Sequence, residues 1–591
     1  MEKTLRTHTC GELTAAKAGS AATLTGWVHT RRDHGGIIFI DIRDRYGFTQ
    51  VVFEPAAASN LFSEAEAIRR EWVVQVSGKV RKRDASMVNS KISTGEIELV
   101  AEKLIILNKS EVPPFSLDEW SETNETLRLK YRYIDLRRHE MQRHFIIRHK
   151  ASIAVRNFLS GEGFLEIETP MLVRSTPEGA RDFVVPSRMN PGTFYALPQS
   201  PQLYKQLLMV SGMDRYFQIA RCMRDEDLRA DRQPEFTQID IEASFINEEF
   251  IYDTVERMLS KMFKDAADIS IAAPFTHLTH AEAMAKYGCD KPDLRFDLPL
   301  TDVTDIAKAS DFSVFKAVTE KGGIVKCIAP KHDFSKGDLE DLIAFCQSNG
   351  AKGMAWMRVT DNGLESNIVK YFNADIQKKL LDAVKPEIGA TLMFIADKPK
   401  ACNDIISRLR NELGKRMGLI KADKFAFCWV TDFPMFEYDE KDKSIVAAHH
   451  IFTAPNSNHL DFLETEPLKV TARSYDLVLN GIEVASGSIR IHDSEMQKRV
   501  LKVIGVSEEE ASKKFGFLLE AFKFGAPPHG GIAPGFDRLI ALMCGFNDIR
   551  EVIAFPKTQS GTSLLDGCPS EIDAIQMRDL KLKSLAQIPT P

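Results

Sequence analysis

The chain has 591 residues, 44% hydrophobic and 27% charged, with 77 Lys and Arg against 83 Asp and Glu for a net charge of −6. That composition is ordinary for a soluble globular protein, and at about 150 residues per domain it predicts about three to five domains. A wholesale basic coat for nucleic acid is excluded, although 77 cations suffice for local basic faces. No stretch approaches the roughly 18 consecutive apolar residues that suggest a membrane span, so no membrane association is expected. Met1–Ala15 carries polar and charged residues throughout and has no apolar core of a signal peptide. Nine scattered cysteines, an odd number with no C-x-x-C pair, read as free thiols in a reducing cytoplasm rather than as disulfides or a structural zinc site.

Residues 1–108 read as a small β-barrel. Ile38, Ile40 and Ile42 alternate with Phe39, Asp41 and Arg43; Val74, Val76 and Val80 alternate with Gln75, Ser77 and Arg81; Ile97 and Leu99 alternate with Glu96 and Glu98. Five or so such strands and one helical stretch near Ser63–Arg70 suit a barrel. Residues 109–140, with Pro113-Pro114, read as a linker. The basic stretch Arg128–Lys150, with Arg132, Arg137, Arg138, Arg143 and Arg148, admits two readings, a solvated helix face or a phosphate-contacting surface. Residues 141–295 open with a helical apolar stripe (Ile147, Ala151, Ala154, Val155, Phe158), followed by a strand at Phe164–Glu168 that stops before Pro170. Residues 296–420 lack the polar-faced strands described next and read as an inserted α+β domain. The earlier pattern resumes over 421–591.

Three stretches place polar side chains where a buried strand should not carry them unless a ligand is served. In Tyr216–Glu242, Gln218 and Arg224 lie on one face of a strand, and Phe236, Gln238, Asp240 and Glu242 on one face of its return, around a charged loop. In Asp476–His492, the Asn480-Gly481 turn signal is flanked by Asp476 and Glu483, and Ser488, Arg490 and His492 share a face. In Gly525–Met543, a glycine-rich approach leads into Gly535-Phe536-Asp537-Arg538, with Arg538 in the first helical turn, where phosphate is favoured. Arginine, carboxylates and glycine without a Ser-His or Cys-His pair suit phosphate positioning with a metal, where catalysis is mostly electrostatic.

These residues carry a resemblance. Gly163–Pro170 resembles motif 1 of the class II aminoacyl-tRNA synthetases, Arg224-Asp225-Glu226 with Phe236-Thr237-Gln238 resembles motif 2, and Gly535–Arg538 resembles motif 3. Pro198–Gln202, Ala230–Phe236 and Tyr287–Arg295 look like the bacterial aspartyl type, and the resemblance spans nearly the whole chain. One departure is Ala485-Ser486 before Gly487, where many relatives carry further glycines. The resemblance implies an N-terminal OB-fold barrel that binds the anticodon, an antiparallel-sheet catalytic domain flanked by helices, and the inserted domain of the bacterial type. It implies ATP, L-aspartate and tRNA-Asp as substrates, Mg²⁺ with the ATP, a homodimer built on motif 1, and aspartyl transfer through an adenylate.

By similarity, Arg224 holds the α-phosphate and Arg538 the γ-phosphate, Phe236 stacks on adenine, Glu226 approaches the adenine and later the tRNA end, and Asp476 and Glu483 bind Mg²⁺. Lys205 and Arg490 meet the aspartate side chain. Asp240, Gln202, Ser200 and Glu178 surround its ammonium group, and His449 lies nearby. A buried Arg and Lys call for an anion, and exchanging aspartate for asparagine would forfeit a charge-assisted hydrogen bond worth about 1.5–3 kcal/mol, roughly tenfold to 150-fold in discrimination. On the barrel, the resemblance assigns Arg32, His34, Phe39, Gln50, Arg83, Asn89 and Glu98 to the anticodon, with Phe39 stacking on a base. Some relatives with histidine at the position of His34 also accept tRNA-Asn, which leaves both one and two acceptors open. The competing readings are a sister synthetase for asparagine or lysine and an RNA-binding paralogue without catalysis. The Arg490–Lys205 pair argues against the first, and intact Arg224, Arg538, Asp476 and Glu483 against the second.

Overall fold

The computed structural model describes residues 4–55, 59–118, 122–176, 180–227 and 232–584. The chain forms two compact units: Met1–Ile146 with Arg550–Ser570, and Ile147–Ile549 with Glu571–Pro591. The first unit thus takes 550–570 from the stretch that the sequence pattern groups into 421–591.

In the first unit, β1 (Ala21–His34), β2 (Ile37–Asp44), β3 (Gly47–Phe53), β4 (Val73–Lys82) and β5 (Ile97–Asn108) close a barrel in the order β1-β2-β3-β5-β4. The pairs are antiparallel except β3 with β5. The period-two pattern explains the closure. Leu24, Val28, Ile38, Ile40, Ile42, Val51, Val74, Val76, Val80 and Leu99 point inward and are buried. The expected helical stretch is the helix Ser59–Ala67, which adds Leu61 and Ala65 to that core.

Three arginines of the basic stretch after the barrel, Arg128, Arg132 and Arg137, fit neither of its two readings. Arg132, in the short helix Arg132–Asp135, is only 2% exposed. It donates to Asp135 and to the carbonyls of Arg550, Ile553 and Ala554 at 2.7–3.0 Å. Arg128 binds Asp135 and Glu551, and Arg137 binds Glu71. Besides the nearer Asp135 and Glu71, these cations serve Glu551 and the backbone of 550–554 from the far end of the chain, a contact that local periodicity cannot register. Arg143 is exposed, as are Lys130, His149 and Lys150 in the same stretch.

The second unit is built on an eight-stranded sheet. Its strands are β6 (Leu165–Glu166), β9 (Arg215–Met223), β10 (Glu235–Ser244), β11 (Thr276–Thr279), β17 (Phe427–Thr431), β20 (Ser474–Leu479), β21 (Ile482–Ile489) and β22 (His529–Pro534), in the order β11-β17-β20-β21-β22-β10-β9-β6. Pairing is antiparallel except at the two edges, β11 on β17 and β6 on β9. The helices Gln202–Val210 and Glu248–Ala267 pack on it, the second through Glu256, which accepts from the Trp429 indole at 2.9 Å. Two small ribbons, β7 (Val184–Pro186) with β8 (Phe194–Ala196) and β18 (Phe436–Asp439) with β19 (Ser444–Ala447), lie outside the sheet.

Between β11 and β17 lies a separate five-stranded antiparallel sheet of β12 (Leu300–Asp302), β13 (Ile324–Ile328), β14 (Ala355–Thr360), β15 (Gly363–Glu365) and β16 (Thr391–Asp397), in the order β12-β13-β16-β14-β15. Alternate residues of β16 feed two cores. Met393 and Ile395 join Leu339, Leu342 and Ile405, whereas Leu392 and Phe394 join Val303, Phe315 and Leu380. Helices therefore cover both faces, which is why β16 reads as an unbroken apolar run. All nine cysteines are free thiols, as their spacing suggested. Among the described residues no helix is long and apolar enough to cross a membrane.

Candidate active site

Residues of β10, β20, β21 and β22 converge on one cavity of 640 Å³. Its lining includes Ser200, Gln202, Lys205, Arg224, Glu226, Phe236, Asp240, His449, Glu483, Arg490 and Arg538. Eleven residues that the sequence reading assigned to ATP or aspartate are thus brought together. Asp476 is buried beside them on β20. Glu178 and Leu228–Asp231 lie outside the described residues.

The register explains the gathering. β9 and β10 form an antiparallel hairpin that pairs Cys222 with Phe236, Ala220 with Gln238, Gln218 with Asp240 and Tyr216 with Glu242. Successive polar residues of β10 therefore point to one face. β20 and β21 meet in a two-residue turn, Asn480 (φ +54°) and Gly481 (φ +83°), both in the left-handed region that such hairpins require. That turn holds Glu483 two residues from the fold-back.

The floor of the cavity is a buried network of two cations and two carboxylates. Lys205 Nζ lies 2.7 Å from Asp240 Oδ1 and 3.1 Å from Glu242 Oε2. Arg490 grips Glu242 with two bonds, Nε to Oε1 at 3.0 Å and Nη2 to Oε2 at 3.2 Å, and its Nη1 donates to Ser488 Oγ at 2.6 Å. Burial opposes the ionised form of Glu242, but the charges of Arg490 and Lys205 and the Arg490 hydrogen bonds outweigh it and bring its pKa down to about 2. Burial raises the pKa of Asp240 despite its contact with Lys205. Asp240 Oδ2 and Gln202 Nε2 are buried without hydrogen-bond partners, an acceptor and a donor left for a ligand. Space for Glu242 depends on Gly531, where a Cβ would stand 1.9 Å from Glu242 Oε2.

This geometry corrects the electrostatic expectation. Lys205 and Arg490 are not bare cations awaiting an anion, because Asp240 and Glu242 already balance them. A ligand carboxylate meets a neutral network with spare N–H donors. Discrimination then rests on donor geometry as well as on charge. Glu242 is the residue the sequence reading described but did not assign. Its spacing of two from Asp240 on the polar face was the available signal.

The other end of the cavity is arranged for a polyanion. Arg538 follows the N-terminus of the helix Phe536–Met543, and its Nη1 donates to the Glu483 carbonyl at 2.6 Å. Arg224 lies over the Phe236 ring, 5.1 Å from its centroid. Adenine stacking on that face therefore requires Arg224 to leave it. Asp537, beside Arg538, accepts from the Thr237 amide at 2.6 Å and from Arg148 at 2.5 Å, which ties the helix start to β10. Burial, and next the charge of Glu483, push the Asp476 carboxyl up to about 8, and its Oδ1 has no hydrogen-bond partner. Lys291 pairs with Glu483 at 2.8 Å; burial works against its charge, but Glu483, Asp290 and Asp476 outweigh it and raise its pKa. Among the described residues no three His, Cys, Asp or Glu side chains cluster as a metal site. Asp476 and Glu483 with phosphate oxygens fit Mg²⁺, which commonly takes one or two carboxylates and completes its shell with phosphates and water.

His449 packs edge-on against Phe433 at 5.1 Å, and burial lowers its pKa. His450 lines the cavity, and its Nδ1 accepts from the Phe452 amide at 3.2 Å.

The barrel residues lie on a different kind of surface. Arg32 Nη2 bonds Asp41 at 3.0 Å and Gln50 at 3.2 Å, Gln50 bonds Glu98 at 3.0 Å, and Arg81 joins Glu98 and Glu54 at 2.7 Å. Phe39 is half-buried opposite Arg32 and Val52, and His34 and Asn89 are exposed. Arg83 is buried and donates to the Ile97 carbonyl at 2.8 Å, which takes part of its guanidinium away from the surface.

A closed five-stranded barrel followed by a largely antiparallel sheet with this cavity defines an OB-fold module joined to a class II synthetase catalytic domain. The chain belongs to the class II tRNA synthetases of the D, K and N group, whose family pattern it matches over residues 124–559. Residues 22–107 match the OB-fold nucleic acid binding domain. The chain is 53% identical to an aspartate–tRNA(Asp/Asn) ligase of Caldanaerobacter subterraneus subsp. tengcongensis, with 98% of each chain covered. It is 51% identical to an aspartate–tRNA ligase of Macrococcus caseolyticus, again with 98% of each covered. The fold is similar to that of asparaginyl-tRNA synthetase from Pyrococcus horikoshii (TM-score 0.59, 18% identity, covering 93% of this chain and 98% of that one). It is also similar to that of the aspartyl tRNA synthetase from Entamoeba histolytica (TM-score 0.58, 18% identity, covering 94% and 92%).

Proposed function

We propose that this protein joins L-aspartate to tRNA-Asp at the expense of ATP, and that it charges tRNA-Asn as well. The aspartate α-carboxylate attacks the α-phosphorus of ATP in line and pyrophosphate leaves. The terminal ribose hydroxyl of the tRNA then attacks the carbonyl carbon and AMP leaves. The observation that carries this reading is the buried Lys205–Asp240–Glu242–Arg490 floor. It offers N–H donors to a side-chain carboxylate and an unsatisfied acceptor, Asp240 Oδ2, to an ammonium group.

In this reading Ser200, Gln202, Asp240 and Glu178 receive the ammonium end. Lys205, Arg490 and His449 receive the carboxylate side chain. Arg224 leaves the Phe236 ring for the α-phosphate, adenine takes its place on Phe236 beside Glu226, and Arg538 holds the γ-phosphate. Mg²⁺, held by Asp476 and Glu483 with the phosphates, would neutralise their charge. Arg32, His34, Phe39, Gln50, Arg83, Asn89 and Glu98 read the anticodon. The Caldanaerobacter relative, named for both tRNA-Asp and tRNA-Asn, and His34 support the second acceptor.

We also propose a cytoplasmic homodimer across β6, supported by the apolar exposure of Leu165, Met171 and Leu172 near that edge. Sedimentation at micromolar concentration should give twice the chain mass. The domain boundaries 1–108, 109–140, 141–295, 296–420 and 421–591 belong to the same proposal. The deciding experiment is pyrophosphate exchange with aspartate, asparagine and lysine in parallel, followed by charging of tRNA-Asp and tRNA-Asn. Exchange with asparagine or lysine, but not aspartate, rejects the reading.

A further inference from the structure

Lys291 lies in the loop after the helix His280–Tyr287, on none of the three motifs, and faces the triphosphate end of the cavity. Its ammonium is 2.8 Å from Glu483 Oε2, and both side chains are partly open to the cavity. The loop is held from behind by the inserted domain. Arg410, buried in the helix Pro399–Arg416, donates to the carbonyls of Asp293, Phe296 and Leu298 at 2.9–3.0 Å. Its guanidinium is packed between the Tyr287 and Phe296 rings, 4.8 and 4.1 Å from their centroids. On the other side Asp293 abuts Gly481, in the turn that carries Glu483. A flexible lysine is thus mounted on a fixed backbone, aimed at one carboxylate.

A nucleoside triphosphate brings more negative charge than one divalent cation neutralises. When Glu483 turns to a metal, the Lys291 ammonium loses its partner just as an anion arrives. We propose that Lys291 is a triphosphate-binding residue, which holds Glu483 in place in the empty site and passes to the β- or γ-phosphate when ATP enters. Arg410 is the positioning residue behind it. The proposal rests on the reading of this cavity as an ATP site.

Calorimetric titration with α,β-methylene-ATP and with AMP, both with Mg²⁺, separates the phosphate tail from the rest of the nucleotide. Lys291→Met should weaken the triphosphate analogue about tenfold to hundredfold and leave AMP within about twofold, with Lys291→Arg between the two. In aspartate-dependent exchange the KM for ATP should rise by the same factor while the KM for aspartate holds. Unchanged analogue binding overturns the proposal. So does an equal loss for analogue and AMP, which would make Lys291 a prop for the cavity wall. A wild-type protein that distinguishes the two ligands through Lys291 but exchanges nothing with aspartate would reject the amino-acid assignment and retain the phosphate contact.

Discussion

The floor of the cavity and the outer face of the barrel use the same alphabet, arginine or lysine against aspartate or glutamate, in opposite settings. In the floor, Lys205, Asp240, Glu242 and Arg490 are all 4% exposed or less. On the barrel, Arg32 and Arg81 keep 55% and 45% of their side chains in water. Buried charges cannot rearrange cheaply, so the floor is fixed before substrate arrives. Surface pairs contribute about 0–1 kcal/mol each, so the barrel network can exchange its partners at little loss. One region is a preformed mould, the other an adaptable surface.

The comparison breaks first at Arg490. Arg490→Leu should raise the KM for aspartate and lower kcat by orders of magnitude in pyrophosphate exchange, while ATP-analogue binding stays largely intact. A near-wild-type exchange rate would show that the floor does not hold the amino acid. Glu242→Gln should destabilise the fold by about 3–5 kcal/mol at neutral pH, because it leaves Lys205 and Arg490 buried with one carboxylate between them. The Glu242 pKa is depressed to about 2 in the folded state, so its contribution is present above the unfolded carboxyl range near 4.5. It is lost as the pH falls through that window. Denaturant melts of wild type and Glu242→Gln should therefore converge toward acid, and parallel curves would contradict the assigned coupling.

On the barrel, Phe39→Ala should weaken tRNA charging by about 1–3 kcal/mol of lost stacking and spare tRNA-independent exchange. Equal losses in both assays would place Phe39 in the core instead. Smallest of all, Arg81→Ala should shift stability by no more than about 1 kcal/mol in thermal melts. A larger loss would mean that the surface network is as rigid as the floor.

What the sequence made legible follows the range of the interactions. Period-two alternation places Ile38, Ile40 and Ile42 inside the barrel and Asp240 and Glu242 on one face of β10, because the backbone alone sets that geometry. The partner of Glu242 was hidden, since Arg490 stands 248 residues away on another element. Arg128 and Arg132 were misread for the same reason, their acceptors being Glu551 and the carbonyls of 550–554. Lys291 sits in a loop without periodicity, where side-chain direction cannot be read from spacing.

The Arg410 bonds also bear on surgery of the chain. Cutting out 296–420 and rejoining the ends would leave the Asp293 carbonyl without its donor and strip Tyr287 of the guanidinium that lies over it. A shortened variant would then lose grip on its nucleotide through a change made outside the pocket, unless the splice supplied a substitute for that one side chain.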